Sequence, residues 1–237
     1  MNDLLLILAA FTTSILTAIT GIGGGMILIA IMPGLLPASA IIPVHGLVQL
    51  FANSSRAVFG WNHIHWRYAV AFISGSVVGG IVAAGITLNI NLEYTPLLIA
   101  GYILFIVWGP GLKLKKAPRS EFFTIGLLQT GLGMIVGATG PLGHASLLAR
   151  GLQRDALVVT AASMMTFSHL IKVILFGVLG FAFMSYWEIV LAMSAGVIAG
   201  AFTGTHIRYK IPESIFRPAL KWLLTILAIR MIVITFI

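Results

Sequence analysis

Gly21-Ile22-Gly23-Gly24-Gly25-Met26 interrupts an apolar run that starts at Leu4 and resumes as far as Leu36. A second break, Gly137-Ala138-Thr139-Gly140-Pro141-Leu142-Gly143, interrupts the apolar run that starts at Phe122. The residues on either side are too apolar for loops of a soluble domain. Of 237 residues, 59% are hydrophobic and 8% charged, and mean hydropathy is +1.07, whereas soluble domains carry about 25% charged residues. A bilayer core takes about 20 mostly apolar residues per helix, because backbone polar groups must be satisfied within the segment. The sequence therefore predicts an all-α polytopic membrane protein with no room for a soluble domain.

Apolar runs and breakers place the segments. A first helix covers Leu4–Ile19, and an arm from Met26 to Leu36 ends among Pro33, Gly34 and Pro37. Spans follow at Ala38–Phe59, Tyr68–Leu88 and Tyr94–Gly109. The second half has Phe122–Val136, a short arm to Gly151, and spans at Ala156–Leu179, Trp187–His206 and Ile215–Phe236. Met1-Asn2-Asp3-Leu4 lacks a basic region, so it reads as mature protein and not as a cleaved signal.

Basic residues cluster at Arg56/Arg67, at Lys113/Lys115/Lys116/Arg119, at Arg150/Arg154 and at Arg208/Lys210/Arg217. Such clusters mark cytoplasmic loops, so the net charge of +8 is a topology signal and not a nucleic-acid surface. Each broken segment either crosses fully or is re-entrant. Full crossing would put the strongly basic 113–119 and 150–154 loops on opposite sides. A hairpin in each half avoids this and leaves three spans per half, with both termini outside. The halves, 1–112 and 120–237 around a basic cytoplasmic linker at 113–119, would then be inverted repeats. A constant offset supports the repeat. Gly21/Gly137, Gly24/Gly140, Asn53/His169 and Arg56/Lys172 are all 116 positions apart, and Trp66/Trp187, Gly75/Gly196 and Gly79/Gly200 are 121 apart. Inverted repeats with broken helices near the midplane recur among transporters.

The glycine breaks are the first candidate site. Gly23, Gly24 and Gly25, with Thr139 and Gly140, precede new helix starts, whose free N–H groups and positive dipole end suit an anion. Gly75/Gly79 and Gly196/Gly200 read instead as close helix packing. The second candidate is a polar stripe. His45, Gln49, Asn53 and Arg56 share one helical face, and the corresponding face of the second half carries Ala161, Met165, His169 and Lys172, with Ser168 beside it. Polar side chains inside a span face the bundle or a cavity. Gln49 and Asn53 would also serve as interhelical hydrogen-bonding glue, and Arg56 as a boundary residue reaching for the interface. Lys172 lies about 25 Å into its helix at 1.5 Å per residue.

All six acidic residues (Asp3, Glu93, Glu121, Asp155, Glu188, Glu213) fall at span ends or in loops. A positive site without a carboxylate implies a substrate that brings the negative charge. The same absence argues against a carboxylate proton relay or sodium site, leaving His45 and His169 as the candidates for proton coupling. With no cysteine, no His-pair metal spacing and no nucleophile–base pair, an enzyme, a metal site and a bound cofactor are not expected.

Gly21-Ile-Gly-Gly-Gly-Met, Pro33, Ile42-Pro-Val-His-Gly-Leu-Val-Gln-Leu-Phe-Ala-Asn-Ser-Ser-Arg-Ala and Gly137-Ala-Thr-Gly-Pro-Leu-Gly together resemble the TauE/SafE family. This is the family of sulfite and organosulfonate exporters, also called the toluenesulfonate uptake permease family, and the likeness covers essentially the whole chain. Where many members repeat a Gly-rich run and an Ala-Thr-Ser motif, this chain has Thr139-Gly140-Pro141 and Thr160-Ala161-Ala162-Ser163. The resemblance implies a multi-pass carrier in a prokaryotic plasma (inner) membrane, an exporter of sulfite or a small sulfonate. The expected partners are thus a small anionic solute and the lipid bilayer, with a homodimer compatible but not required. A passive anion channel and a carrier of a non-sulfur organic anion stay open as alternatives.

Overall fold

The computed structural model describes residues 2–109, 121–207 and 213–236. The expected basic linker 113–119 lies outside the described residues, as do Arg208, Lys210 and the side chain of Arg217. Ten α-helices make up the described chain: α1 (Asn2–Thr20), α2 (Gly24–Ile31), α3 (Ala38–Phe59), α4 (Trp66–Thr87), α5 (Thr95–Trp108), α6 (Glu121–Val136), α7 (Pro141–Ala149), α8 (Arg154–Val178), α9 (Trp187–Ile207) and α10 (Glu213–Phe236).

Five described segments are long and apolar enough to cross a bilayer, within α1, α4, α8, α9 and α10. The 22-residue α3 is not among them, because its polar face, with Gln49, Asn53 and Arg56 buried inside the bundle, lowers its hydropathy. Hydropathy measures what faces lipid on average, and α3 spends its polar face inward.

Each broken segment doubles back. In the second half Arg150 at the end of α7 makes a 2.8 Å ion pair with Glu121 at the start of α6, so the two ends of this hairpin meet. Ser146 of α7 donates a second hydrogen bond to Glu121, at 2.8 Å. In the first half Gly21 (φ 82°) and Gly23 (φ 98°) turn the chain, using left-handed backbone that costs glycine little. Gly24 then lets α2 press against α1: a Cβ there would run into the Thr13 carbonyl and the Thr17 hydroxyl.

The helices pack in corresponding pairs. Gly75 and Gly79 of α4 meet the carbonyls of Phe123 and Leu127, so α4 and α6 run parallel, backbone to backbone. Gly196, Gly200 and Gly204 of α9 meet the backbone at Ile7, Phe11 and Ile15 in the same sense along α1. Without a hydrophobic driving force between helices in lipid, such close approach supplies the dispersion contact that holds them. In the centre, α3 crosses α8 antiparallel, with His45 beside His169 at one end and Gly60 against Val159 at the other. At the periphery α5 pairs with α10, where Trp108 Nε1 donates to Thr225 Oγ1 at 2.9 Å. Helix boundaries follow the offsets read from sequence. α1 and α6 end at Thr20 and Val136, and α3 and α8 begin at Ala38 and Arg154, both 116 apart; α4 and α9 begin at Trp66 and Trp187, 121 apart.

Candidate functional site

The α3–α8 crossing and the two hairpin tips enclose a cavity of about 60 Å³. By the ~15 Å³ that one water centre requires, it holds a few waters or a compact oxyanion. Gly21, Gly23 and Gly25 come from the first tip, and Thr139 and Gly140 from the second. α3 contributes His45, Gln49, Asn53 and Arg56, and α8 contributes His169. Nine of the expected site residues therefore converge on one space: Gly23, Gly25, His45, Gln49, Asn53, Arg56, Thr139, Gly140 and His169.

The α3 wall is a connected network. Asn53 Nδ2 donates to the Gln49 carbonyl at 2.7 Å and to Gln49 Oε1 at 3.3 Å. Arg56 Nη2 donates to Asn53 Oδ1 at 2.8 Å, and Nη1 to Ser14 Oγ at 3.4 Å. Asn53 thus fixes both its neighbours, and Arg56, only 3% exposed, lines the cavity with its guanidinium tied to Asn53 and Ser14. His45 Nε2 lies 2.9 Å from the Gly25 carbonyl, tying α3 to the first tip. His169 stands 5.9 Å from His45 in an edge-on arrangement. It is 2% exposed, and its Nδ1 has no hydrogen-bond partner in the structure. A buried imidazole nitrogen beside a cavity without a protein partner is unusual, since buried polar atoms are nearly always satisfied.

Three expected residues stand behind the cavity wall. Gly24 faces α1. Ser168 Oγ lies 2.8 Å from Thr130 Oγ1 on α6. Lys172, 1% exposed, donates from Nζ to the Gly137 carbonyl at 2.7 Å and so anchors the second tip. The sequence pattern did not single out Gln129, Thr130 or, of the apolar lining, Met26, Val158 and Ala162. Gln129 accepts from the Gly143 N–H through Oε1 and from the Thr139 hydroxyl through its carbonyl, both at 2.7 Å. It caps part of the α7 start, while the α2 start has no side-chain cap. The available signal was an adjacent Gln-Thr pair in an otherwise apolar run. Val158, Ala161, Ala162 and Met165 of α8, with Met26, form the apolar side of the cavity; Ala161 and Met165 lie on the expected face of α8, while nothing in the spacing of Met26, Val158 and Ala162 separates them from core.

No carboxylate lines this space among the described residues, while Arg56 and Lys172 are buried at or just behind it. Nor do the described residues hold a group of three or more metal-ligating side chains.

Broken helices and long apolar spans packed around a buried cavity make this a polytopic α-helical membrane protein. A family model described as "Sulfite exporter TauE/SafE" matches residues 6–231. The chain belongs to that family, and with it to the membrane transporters of sulfite and sulfonates. No curated protein and no solved structure gives a significant match.

Proposed function

We propose that the chain is a secondary transporter, working as an exporter, of a small sulfur-containing anion such as sulfite or a short sulfonate. The observation that carries this is the central cavity, where hydrogen-bond donors and a buried guanidinium converge with no carboxylate among the described lining residues. An anion entering that space meets hydrogen-bond donors and positive potential, which raise its local concentration. The N–H groups at the start of α2 have no intrahelical partner and no side-chain cap, so they face the oxyanion with Gln49 and His169. Asn53 orients Gln49 and Arg56. Lys172 keeps the second tip in place and adds positive potential. His45 and His169 are the groups through which protons would couple to transport.

Residues 1–112 and 120–237 act as two inverted repeats that rock about the α3–α8 crossing, exposing the cavity to each side in turn. The termini lie outside, and the membrane is the plasma membrane of a prokaryote. The antiparallel α3/α8 pair and the parallel α1/α9 and α4/α6 pairs support this arrangement.

The test is thermal stability of the purified protein against sulfite, sulfate, taurine, sulfoacetate, acetate and chloride. A ligand that binds only the folded state stabilises it by about 2.7 kcal/mol at a hundred times Kd. Saturable stabilisation by sulfite or one sulfonate, lost in Asn53→Ala, is the expected result; no shift from any anion sinks the site. Counterflow in proteoliposomes separates a carrier, which shows it, from a passive channel, which does not.

A further inference from the structure

A second space of about 460 Å³ adjoins the central cavity. Ile106 of α5, His144 and Ala145 of α7, and Leu220 and Lys221 of α10 line it. The partition between the two spaces is thin, because Ile22, Met26 and Pro141 line both. Ile22 and Met26 flank the first glycine turn, and Pro141 opens α7, so the partition consists of the two hairpin tips themselves. Leu220 sits directly on Gly23: its Cδ2 would be 2.7 Å from a Cβ at that position. Beyond His45 and His169, the second tip at Gly137 is packed against Ile29 and Ile42.

We propose that the space between α5, α7 and α10 is the antechamber through which the transported anion passes between the central cavity and one side of the membrane, with Leu220 on Gly23 as its gate. The proposal rests on the transport reading above and adds its route. Two features suit it to a small anion. Lys221 lies in its wall, with Nζ 3.7 Å from the centre of the Trp108 ring, and no carboxylate lines the space among the described residues. A cationic, carboxylate-free entrance raises the local concentration of anions. The gate is also built to move. What covers Gly23 is the end of a flexible side chain, and the turn beneath it carries two glycines in left-handed backbone, at Gly21 and Gly23.

The test uses the full chain in proteoliposomes, reading sulfite counterflow alongside equilibrium stabilisation by sulfite. Ala145→Phe fills the antechamber without touching the central cavity. Leu148→Trp, at a half-exposed position of the same wall, does so should the first variant not fold. Either slows exchange about tenfold with affinity unchanged, as for a gating step, while Leu220→Ala speeds it. Exchange that Ala145→Phe or Leu148→Trp leaves within about twofold, as it would if the space only houses a lipid chain, overturns the antechamber and leaves the transport reading intact. Absence of counterflow from the unsubstituted protein overturns both.

Discussion

At the residue scale, the site separates side chains that hold it together from side chains free to bind. Lys172 is bonded to the Gly137 carbonyl and Asn53 to both Gln49 and Arg56, so each holds structure together as well as contributing polarity. Lys172→Met keeps the apolar stem and leaves a buried carbonyl unsatisfied, an expected loss of about 1–3 kcal/mol of stability, read as a lowered Tm. His169 is the opposite case, since its Nδ1 has no hydrogen-bond partner among the described residues. His169→Phe is expected to leave Tm within a few degrees while abolishing stabilisation by the anion, as measured by thermal shift. A large fall in Tm for this variant would make His169 a structural residue and remove it from the site. The polar stripe of α3 was legible in sequence because a period of three to four residues is unmistakable in an apolar background. That Lys172 and Ser168 turn away from the cavity was not, because periodicity places a side chain on a face and says nothing about which neighbour its tip finds.

At the scale of elements, the glycines divide by what surrounds them. Gly79 lies against the Leu127 carbonyl, whereas a Cβ at Gly85, six residues along the same helix, would meet nothing. Gly79→Val is expected to force α4 off α6 and to lower Tm by several degrees, an overpacking cost of about 1–3 kcal/mol. Gly85→Ala is neutral or slightly stabilising, because alanine is about 1 kcal/mol better than glycine inside a helix. Thermal melts of the two variants side by side check this, and equal effects would refute close α4–α6 packing. The spacing of Gly75 and Gly79 made this packing predictable. The doubling back of α6–α7 was predictable only by an argument from loop charge, and the Glu121–Arg150 pair that closes the hairpin joins residues too far apart in sequence for any local pattern to reveal.

At the scale of the whole molecule, α3 and α8 form the axis about which the proposed motion turns. A Cβ at Gly60 would lie 3.3 Å from Val159 Cβ, close to the ~3.5–4.5 Å that a disulfide spans. Because the chain has no cysteine of its own, Gly60→Cys with Val159→Cys is a clean double variant. Oxidation is expected to lower anion counterflow by about tenfold or more, and reduction to restore it, if relative motion of the halves limits transport. Full-rate exchange in the oxidised protein would rule out rocking at this end of the crossing.

The sequence by itself determined the membrane class, the helix boundaries to within a few residues, the internal offset of 116 and then 121 residues, and the α3 polar face. All of these follow from local composition and period, which a bilayer reads directly because it penalises every exposed polar group. Only the tertiary structure decided that the two glycine breaks meet at one cavity, that Met26, Val158 and Ala162 belong to its apolar wall, and that Gln129 and Lys172 brace its second tip. Those are consequences of which helices cross and at what level. Crossing is set by close backbone approach and by hydrogen bonds between residues far apart in the chain, a relation that no single stretch of sequence contains.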